Sequence, residues 1–201
     1  MTEEIPTDKA VVILAAGNSS RMGTHKALLR FDEKYNFIQK IIQTYKNAGI
    51  DWITVVANED NAELIAESID DDDCFLVYVA VNMHPEWERF YSIKFGLLEL
   101  SDVACCFIHN CDNPFVPEDI IHQLMNEFEA DTVIVPEFKG ERGHPVLLGH
   151  NIIQAVLNHP ENSCNFKSFL STFPTKTISV DNNSILFNIN TREDLQNSMT
   201  K

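Results

Sequence analysis

The sequence predicts an α/β protein in which helices cover both faces of a mostly parallel sheet, a three-layer α/β/α sandwich. Short apolar runs that are typical of buried strands alternate with longer segments of helical periodicity. The predicted strands span residues 10–14, 52–57, 75–81, 104–109 and 132–135. The predicted helices between them span residues 37–48, 61–69, 90–100 and 117–128. Because a parallel strand can be reached only through a crossover connection, this alternation favours βαβ units.

Two of these helices carry clear boundary signals. In the first, isoleucines recur at helical spacing, and Gly49 stands where a helix ends. In the fourth, Pro117 suits the first helical turn, and Asp119 places an acid near the positive end of the helix dipole. Both segments are therefore predicted as amphipathic helices that pack on the sheet.

After residue 135 the pattern becomes less regular and predicts a small β-rich addition. The segments expected there are a short strand over 145–148, helices over 152–157 and 166–173, and a hairpin of 177–180 and 184–187. A last helix is expected from Arg192. We expect one domain over residues 1–201, with the polar residues 1–8 as a flexible terminus.

Charge and hydropathy narrow the range of functions. The 201 residues include 30 acidic and 15 basic side chains, a formal charge of −15. Such a chain is a poor partner for nucleic acid, because phosphate neutralisation supplies most non-specific affinity. The sequence has no apolar run of membrane-spanning length and opens on no signal segment, so we expect no membrane association and a cytoplasmic location. Its 5 cysteines form no Cys-x-x-Cys pair, which favours reduced thiols.

The most informative stretch follows the first predicted strand and runs from Leu14 to Lys26. It reads Leu-Ala-Ala-Gly-Asn-Ser-Ser-Arg-Met-Gly-Thr-His-Lys. Small residues let backbone N–H groups approach an anion, and the cations Arg21 and Lys26 neutralise it. No acid occurs from Lys9 to Phe31, whereas an even spread would place about three there. The stretch therefore predicts a phosphate-binding loop.

This loop differs from two common phosphate-binding patterns. Five residues separate Gly17 from Gly23, and Thr24-His25-Lys26 follows, whereas a P-loop needs four residues and then Lys-Ser or Lys-Thr. The dinucleotide fingerprint Gly-x-Gly-x-x-Gly does not occur in the sequence. Both of those nucleotide-binding classes are therefore disfavoured.

Other candidate residues follow later strands, because ligands of open α/β sheets bind outside the carboxyl ends of the strands. Asn82 follows the third predicted strand, and Asp112 follows the fourth. Asp112 predicts a Mg²⁺ site, since magnesium takes one or two carboxylates and completes its shell with water and phosphate oxygens; the alternative is that Asp112 only caps the turn. Ser92 is suited to offering a hydroxyl to a base edge or to capping a helix.

The loop resembles the signature Leu-Ala-Ala-Gly-x-Ser-x-Arg-Met-Gly-x-x-Lys of the MobA-like nucleotidyltransferase family, in the form typical of molybdenum cofactor cytidylyltransferases. Every fixed position of that pattern is filled. Residues 111–114 resemble the family element Cys-Asp-Gln-Pro, with Asn113 in place of Gln. Residues 89–97 resemble an Arg-x-x-Ser-Ile-x-x-Gly-Leu element near the base, and residues 143–145 a Gly-His-Pro element near the acceptor. The resemblance covers most of residues 10–195.

This resemblance implies a Rossmann-like sheet of the nucleotide-diphospho-sugar transferase type and Mg²⁺-dependent transfer of a nucleoside monophosphate from an NTP to a phosphorylated acceptor. It implies catalytic roles for Arg21, Lys26 and Asp112, and acceptor binding by His144. The implied nucleotide contacts are Leu14, Ala15, Ala16, Gly17, Ser19, Arg21, Lys26, Asn82, Ser92 and Asp112. Relatives with Ala at the position of Ala16 tend to use CTP, so CTP is the expected donor and molybdopterin the expected acceptor. A protein that receives the finished cofactor is a further candidate partner.

The chain departs from the family pattern near its end. Where relatives read Asp-Ile-Asp-Thr-Pro-Glu-Asp, residues 188–194 read Asn-Ile-Asn-Thr-Arg-Glu-Asp. If the second Asp holds a metal in relatives, Asn190 must do so through its amide oxygen and without a charge; alternatively, Asn190 caps the final helix. Two other functions stay open: the same chemistry on a sugar or alcohol phosphate, and a nucleotide-binding regulatory protein that has lost catalysis.

Overall fold

A mixed sheet forms the middle layer of the protein in the computed structural model, which describes residues 8–17, 25–50, 52–69, 77–100, 102–191 and 193–195. The sheet has 8 strands within those residues. They are β1 (Lys9–Leu14), β2 (Trp52–Asn58), β3 (Val77–Asn82), β4 (Cys105–Asn110), β5 (Val133–Phe138), β6 (Glu141–Arg142), β7 (Val146–Gly149) and β8 (Thr175–Ser179). The helices are α1 (Phe37–Asn47), α2 (Ala62–Ser68), α3 (Glu88–Leu98), α4 (Glu118–Asn126), α5 (His150–Leu157) and α6 (Phe166–Leu170).

The strand order is β3-β2-β1-β4-β7-β5-β6, with β8 paired to β5. Strands β3, β2, β1 and β4 are parallel, and β5 and β8 are parallel to each other. Strand β7 runs antiparallel to β4 and β5, between which it lies. The predicted fold class is thus confirmed, and the β-rich addition corresponds to β6, β7 and β8, which extend the same sheet.

Helices cover both faces of this sheet because successive strand residues point to opposite sides. In β1, Val11 and Ile13 belong to one core cluster, while Ala10 and Val12 belong to the other. Buried residues of α1, α2 and α4 pack in the first cluster, and those of α3, α5 and α6 in the second. Gly96 of α3 makes the close approach possible, because a Cβ there would lie 2.7 Å from side-chain carbons of Val12 and Val56.

The predicted starts of the helices α1 and α4 lie within one residue of the observed starts, and the predicted ends lie within two residues of the observed ends. Asn36 and Gln39 form a capping box at the start of α1, and Gly49 follows the helix with φ of 77°. Asp119 lies in the first turn of α4, and Pro117 is its N-cap residue rather than its first helical residue. Within the described part of the chain, the structure holds no helix that is long and apolar enough to cross a membrane.

The predicted hairpin of residues 177–180 and 184–187 is wrong. The first half belongs to β8, which pairs with β5 in parallel, and the second half forms a 3-10 helix, Asn183–Leu186. The side chain of Asn182 accepts a hydrogen bond from the backbone N–H of Ser184, which starts that helix instead of a hairpin turn. The predicted segments 1–7 and 75–76, and Arg192, lie outside the described residues.

Candidate active site

A cavity of 380 Å³ opens at the carboxyl ends of β1, β3 and β4. The parallel registers set Leu14 beside Asn110 and Asn58 beside Asn82, so the strands end at one edge. Seven of the residues predicted for the site line this cavity: Leu14, Ala16, Gly17, Lys26, Asn82, Ser92 and Asp112. Ala15 is buried just after β1, while Ser19 and Arg21 lie outside the described residues.

Lys26 connects the first loop to two later parts of the chain. Its Nζ donates to Oδ1 of Asn190 at 2.8 Å and lies 3.7 Å from Oδ2 of Asp112. The other carboxylate oxygen of Asp112, Oδ1, is buried and has no hydrogen-bond partner. Burial raises the pKa of Asp112, and the positive charges of Lys26 and Arg89 oppose that rise. Asp112 is therefore more than a turn cap, since it faces two cations and one of its oxygens is still available to a ligand.

The backbone brings Asn190 to this position. The N–H of Ile189 donates to the carbonyl oxygen of Asp112 at 2.8 Å, so residues 189–190 run beside the loop after β4. Asn190 does not cap the last helical turn, because its side-chain oxygen accepts from Lys26 and Thr191 takes the capping position. The side chain of Thr191 accepts from the N–H of Asp194, and Oδ2 of Asp194 accepts from the N–H groups of Asn190 and Thr191.

Two asparagines that the sequence reasoning missed hold the backbone of the first loop. Asn58 and Asn61 are buried and accept each other's backbone N–H groups. The side-chain amide of Asn61 donates to the carbonyl oxygen of Ala15 at 2.9 Å, and that of Asn58 donates to Ala16 at 3.3 Å. The available signal was a pair of asparagines directly after the second predicted strand, where a purely structural turn needs only one.

Asn82 and Ser92 form the wall opposite the first loop. The amide of Asn82 donates to Oγ of Ser92 at 2.9 Å, and its Oδ1 accepts from the N–H of His84 at 2.7 Å. Ser92 lies inside α3, where its hydroxyl donates to the carbonyl oxygen of Glu88 at 3.3 Å. The reading of Ser92 as a helix cap is therefore wrong, because α3 begins four residues earlier at Glu88.

A second cavity, of 560 Å³, lies beside the first, and Glu88 and Arg89 line both. Arg89 is exposed to solvent and lines both cavities. The protein that surrounds its guanidinium on the other sides still removes part of its hydration, and this lowers the pKa of Arg89. Arginine remains charged despite such a shift. Glu88 takes a positive φ of 59°, a backbone conformation that non-glycine residues adopt rarely. Sequence reasoning noticed Arg89 only as part of a motif and gave it no role.

His144 lies in this second cavity and not in the first. Its Nδ1 is buried without a hydrogen-bond partner, and burial, followed by the nearby charge of Arg89, lowers the pKa of His144 to about 4. The preceding Gly143 is held against the 3-10 helix, because a Cβ there would lie 2.5 Å from the carbonyl oxygen of Ile185. Arg142 and Lys167 add positive charge to the same cavity, whose remaining walls are largely apolar.

The donor set suits a cation that is shared with phosphate oxygens. Among the described residues, no group of three or more His, Cys, Asp or Glu side chains could hold a metal by itself. Asp112 offers one orphaned carboxylate oxygen, and Asn190 offers an amide oxygen that also accepts from Lys26. Magnesium is commonly bound by one or two carboxylates and by substrate phosphates, so these residues fit it.

The fold and the site together define an α/β protein with a polar cavity at the carboxyl edge of its parallel strands, a place where such folds bind nucleotides. Residues 11–174 match the model of the MobA-like NTP transferase domain, and the chain belongs to that family.

Three curated relatives illustrate the range of the family. A "probable molybdenum cofactor guanylyltransferase" of Clostridium perfringens strain 13 is 30% identical over 69% of this chain, although the match spans only 63% of that protein. A protein of the same name from Natranaerobius thermophilus is 27% identical over 93% of both chains. The molybdenum cofactor cytidylyltransferase of Escherichia coli K12 is 23% identical over 91% of both chains.

Solved structures agree on the fold. Rv0371c of Mycobacterium tuberculosis H37Rv superposes with a TM-score of 0.79 at 19% identity, covering 97% of this chain and 100% of that one. A structure of Rv0371c in complex with manganese gives a TM-score of 0.77 at 16% identity, with the same coverage. A nucleotidyl transferase from Methanothermobacter gives a TM-score of 0.78 at 20% identity over 95% of both chains.

Proposed function

We propose that the protein transfers a nucleoside monophosphate from an NTP to a phosphorylated acceptor and releases pyrophosphate. An oxygen of the acceptor phosphate attacks the α-phosphorus, and the bond from that phosphorus to the oxygen bridging to the β-phosphate breaks. The observation that carries this proposal is the contact of Lys26 with both Asp112 and Asn190 at the mouth of the first cavity. Family membership supports the same reaction class.

Such a reaction is accelerated mainly by fixed charges that stabilise the transition state. The acceptor oxygen is already anionic, so the reaction requires positioning and charge stabilisation rather than a general base. Lys26 is placed to stabilise the charge that builds on the α-phosphate and the acceptor phosphate. Arg21, which lies outside the described residues, is proposed from the signature to bind the β- and γ-phosphates.

We propose Asp112 as the ligand of a divalent cation, Mg²⁺ by expectation, with Asn190 as a second oxygen donor. When bound, such a cation neutralises phosphate charge and orients the leaving group. The buried, unpartnered Oδ1 of Asp112 supports this assignment. The hydrogen bond from Lys26 occupies one lone pair of the Asn190 amide oxygen, which leaves the other lone pair for a cation.

The nucleoside is proposed to lie between the first loop and the Asn82–Ser92 wall. The contacts would come from Leu14, Ala15, Ala16, Gly17, Ser19, Asn82 and Ser92. Ala16 favours CTP as the donor, by resemblance to relatives that read Leu-Ala-Ala-Gly. GTP is the second candidate, because the higher identities belong to proteins named as guanylyltransferases.

The acceptor is proposed to occupy the second cavity, where its phosphate would approach Arg89 and His144. Because Glu88 and Arg89 line both cavities, an acceptor phosphate at Arg89 borders the donor's triphosphate. The apolar walls formed by Val133, Val146 and Phe166 suit a flat heterocycle better than a polyhydroxylated sugar. We therefore favour molybdopterin over a sugar or alcohol phosphate as acceptor. A protein that receives the product stays a proposal drawn from the family.

A regulatory protein that binds nucleotide without turnover is the second candidate function. Its support is that residues 188 and 190 are Asn where the family pattern has Asp, and at Asn190, which contacts Lys26, this removes a negative charge from the site. It predicts tight triphosphate binding without release of pyrophosphate.

The test is pyrophosphate release from CTP, GTP, ATP and UTP, each with Mg²⁺ and with molybdopterin or a panel of sugar and alcohol phosphates. We expect release with CTP and molybdopterin. Release with GTP would keep the reaction and overturn the donor assignment, and release with a sugar phosphate would overturn the acceptor. Triphosphate binding with no release from any pair would favour the regulatory function.

A further inference from the structure

A buried histidine lies directly beneath the loop that carries Asp112. His109 is 1% exposed near the end of β4, one residue before the strand closes at Asn110. Its Nδ1 lies 2.8 Å from the hydroxyl of Tyr45 on α1, and its Nε2 lies 2.8 Å from the carbonyl oxygen of Asn113. The proposed function gives this ring no role, although both of its nitrogens are hydrogen-bonded.

The partners of the ring determine its tautomer. A carbonyl oxygen can only accept, so Nε2 must carry a proton and donate to Asn113. Burial lowers the pKa of His109 to about 4, which keeps the ring neutral near pH 7. In a neutral ring the remaining nitrogen has no proton, so Nδ1 accepts from the Tyr45 hydroxyl. The hydrogen bonds therefore run in one direction, from α1 through β4 to the loop.

Asn113 transmits this support to the segment that carries Asn190. In either orientation of its buried side-chain amide the nitrogen donates to this segment, to the carbonyl oxygen of Ile185 at 3.3 Å in one and to those of Ser184 and Phe187 at 3.1 Å in the other. The backbone N–H of Ile189 then donates to Asp112, and Asn190 accepts from Lys26. Both oxygen donors of the proposed cation site thus depend on residues 112–113, whose backbone is tied to His109.

We infer that His109 is a positioning residue that fixes Asp112, and through Asn113 also Asn190, in the geometry that binds the cation. This inference rests on the proposed role of Asp112. His109 contacts neither substrate nor cation; it acts through the hydrogen bond from its Nε2 to the Asn113 carbonyl. The Tyr45 hydroxyl contributes by holding the tautomer that makes this bond possible.

Two substitutions of His109 distinguish the effect of its hydrogen bond to the Asn113 carbonyl from the effect of its packing in the core. In His109→Gln the side-chain amide nitrogen stands near the position of Nε2 and still donates to Asn113. In His109→Asn the shorter amide reaches the Tyr45 hydroxyl but not the loop. The readout is the affinity for Mn²⁺, measured by electron paramagnetic resonance at saturating CTP and, separately, GTP.

We expect His109→Asn to weaken Mn²⁺ binding at least about tenfold, as loss of outer-shell support to a metal ligand commonly does, while His109→Gln stays within about threefold of the parent. Ile108→Val, a buried change in the same strand that faces the core cluster on the other side of the sheet from Tyr45, controls for general loosening. Nitrogen chemical shifts should show His109 protonated at Nε2 and unprotonated at Nδ1.

Equal Mn²⁺ affinities in the Asn and Gln variants would overturn the inference, as would an equal loss in Ile108→Val or a ring protonated at Nδ1. A parent protein that binds no Mn²⁺ with or without nucleotide would overturn it as well, because Asp112 would then have no cation to position. Absence of pyrophosphate release with every substrate pair would instead contradict the proposed function, and would leave the affinity difference between the variants in place.

Discussion

The two cavities that share Arg89 are constructed from the chain in different ways. The first lies at the ends of parallel strands, and its residues come from β1, β3 and β4 and from the segments that follow each of them, α3 included. The second receives its residues from segments far apart in sequence, with an irregular turn at Gly143 and the helix α6 on its rim. A site at strand ends can thus be predicted from a short sequence motif, whereas a site between distant segments depends on tertiary packing and cannot be predicted in this way.

The largest effect is expected from the removal of the Lys26 charge. Lys26→Ala should lower turnover at least ~10²-fold, because it removes a fixed charge that faces the reacting phosphates. Lys40→Ala, which removes a cation of α1 that lies over the Phe31 ring and lines neither cavity, should leave turnover unchanged. Steady-state pyrophosphate release measures both variants. Near-normal turnover in Lys26→Ala would show that catalysis does not require the charge of this residue.

The second expected effect compares a glycine from each cavity. Gly143→Ala should destabilise the fold by about 1–3 kcal/mol, since the new Cβ would meet the Ile185 backbone at 2.5 Å. Gly17→Ala should fold normally, because no described atom lies within 4 Å of its Cβ, and should instead raise the KM for the nucleotide. Urea unfolding and donor kinetics test the pair, and equal stability losses would remove the contrast between the two cavities.

Arg89 tests whether the cavities act together. Arg89→Gln should lower kcat/KM for donor and acceptor alike by about tenfold each, because one charge-assisted contact serves both phosphates. Arg142→Gln should raise the KM for the acceptor alone, since Arg142 lines only the second cavity. If Arg89→Gln affects only the donor or only the acceptor, Arg89 serves one cavity and the proposed junction is wrong.

The smallest effect concerns pH. His109 has a pKa of about 4 in the folded chain against 6.5 for the ordinary group, so the unfolded chain binds more protons between those values. The His109 contribution is therefore fully present only well above pH 6.5 and declines as the pH falls through 6.5 toward 4. Between pH 7 and pH 6 the loss attributable to His109 should be about 0.7 kcal/mol. His109→Gln should lack this component, and identical pH dependence in urea unfolding would contradict the burial argument.

Sequence reasoning succeeded where the local pattern and the tertiary fold agree. Strands β1 and β2 and the helix α1 follow from the hydrophobic period. The rule that ligands bind at strand ends predicts that the segments after β1, β3 and β4 converge, and Lys26, Asn82 and Asp112 do line one cavity.

It failed where long-range contacts decide the structure. The alternation in residues 184–187 is compatible with a strand, yet Asn113 and the N–H of His144 engage carbonyl oxygens of this segment and stabilise a 3-10 helix. The role of Arg89 was equally hidden, because nothing local says that a helix residue will border two cavities. The partnership of Asn61 with the Ala15 carbonyl likewise links residues 46 positions apart.

The contact between Lys26 and Asn190 joins residues 164 positions apart. During synthesis on a ribosome, the strands β1 to β4 can pair long before Asn190 has been made. The growing chain therefore has the strand edge of the first cavity early, but the proposed cation site is completed only when residues 189–190 emerge. If the proposed function holds, assembly in this order would keep a chain that lacks Asn190 from completing the site.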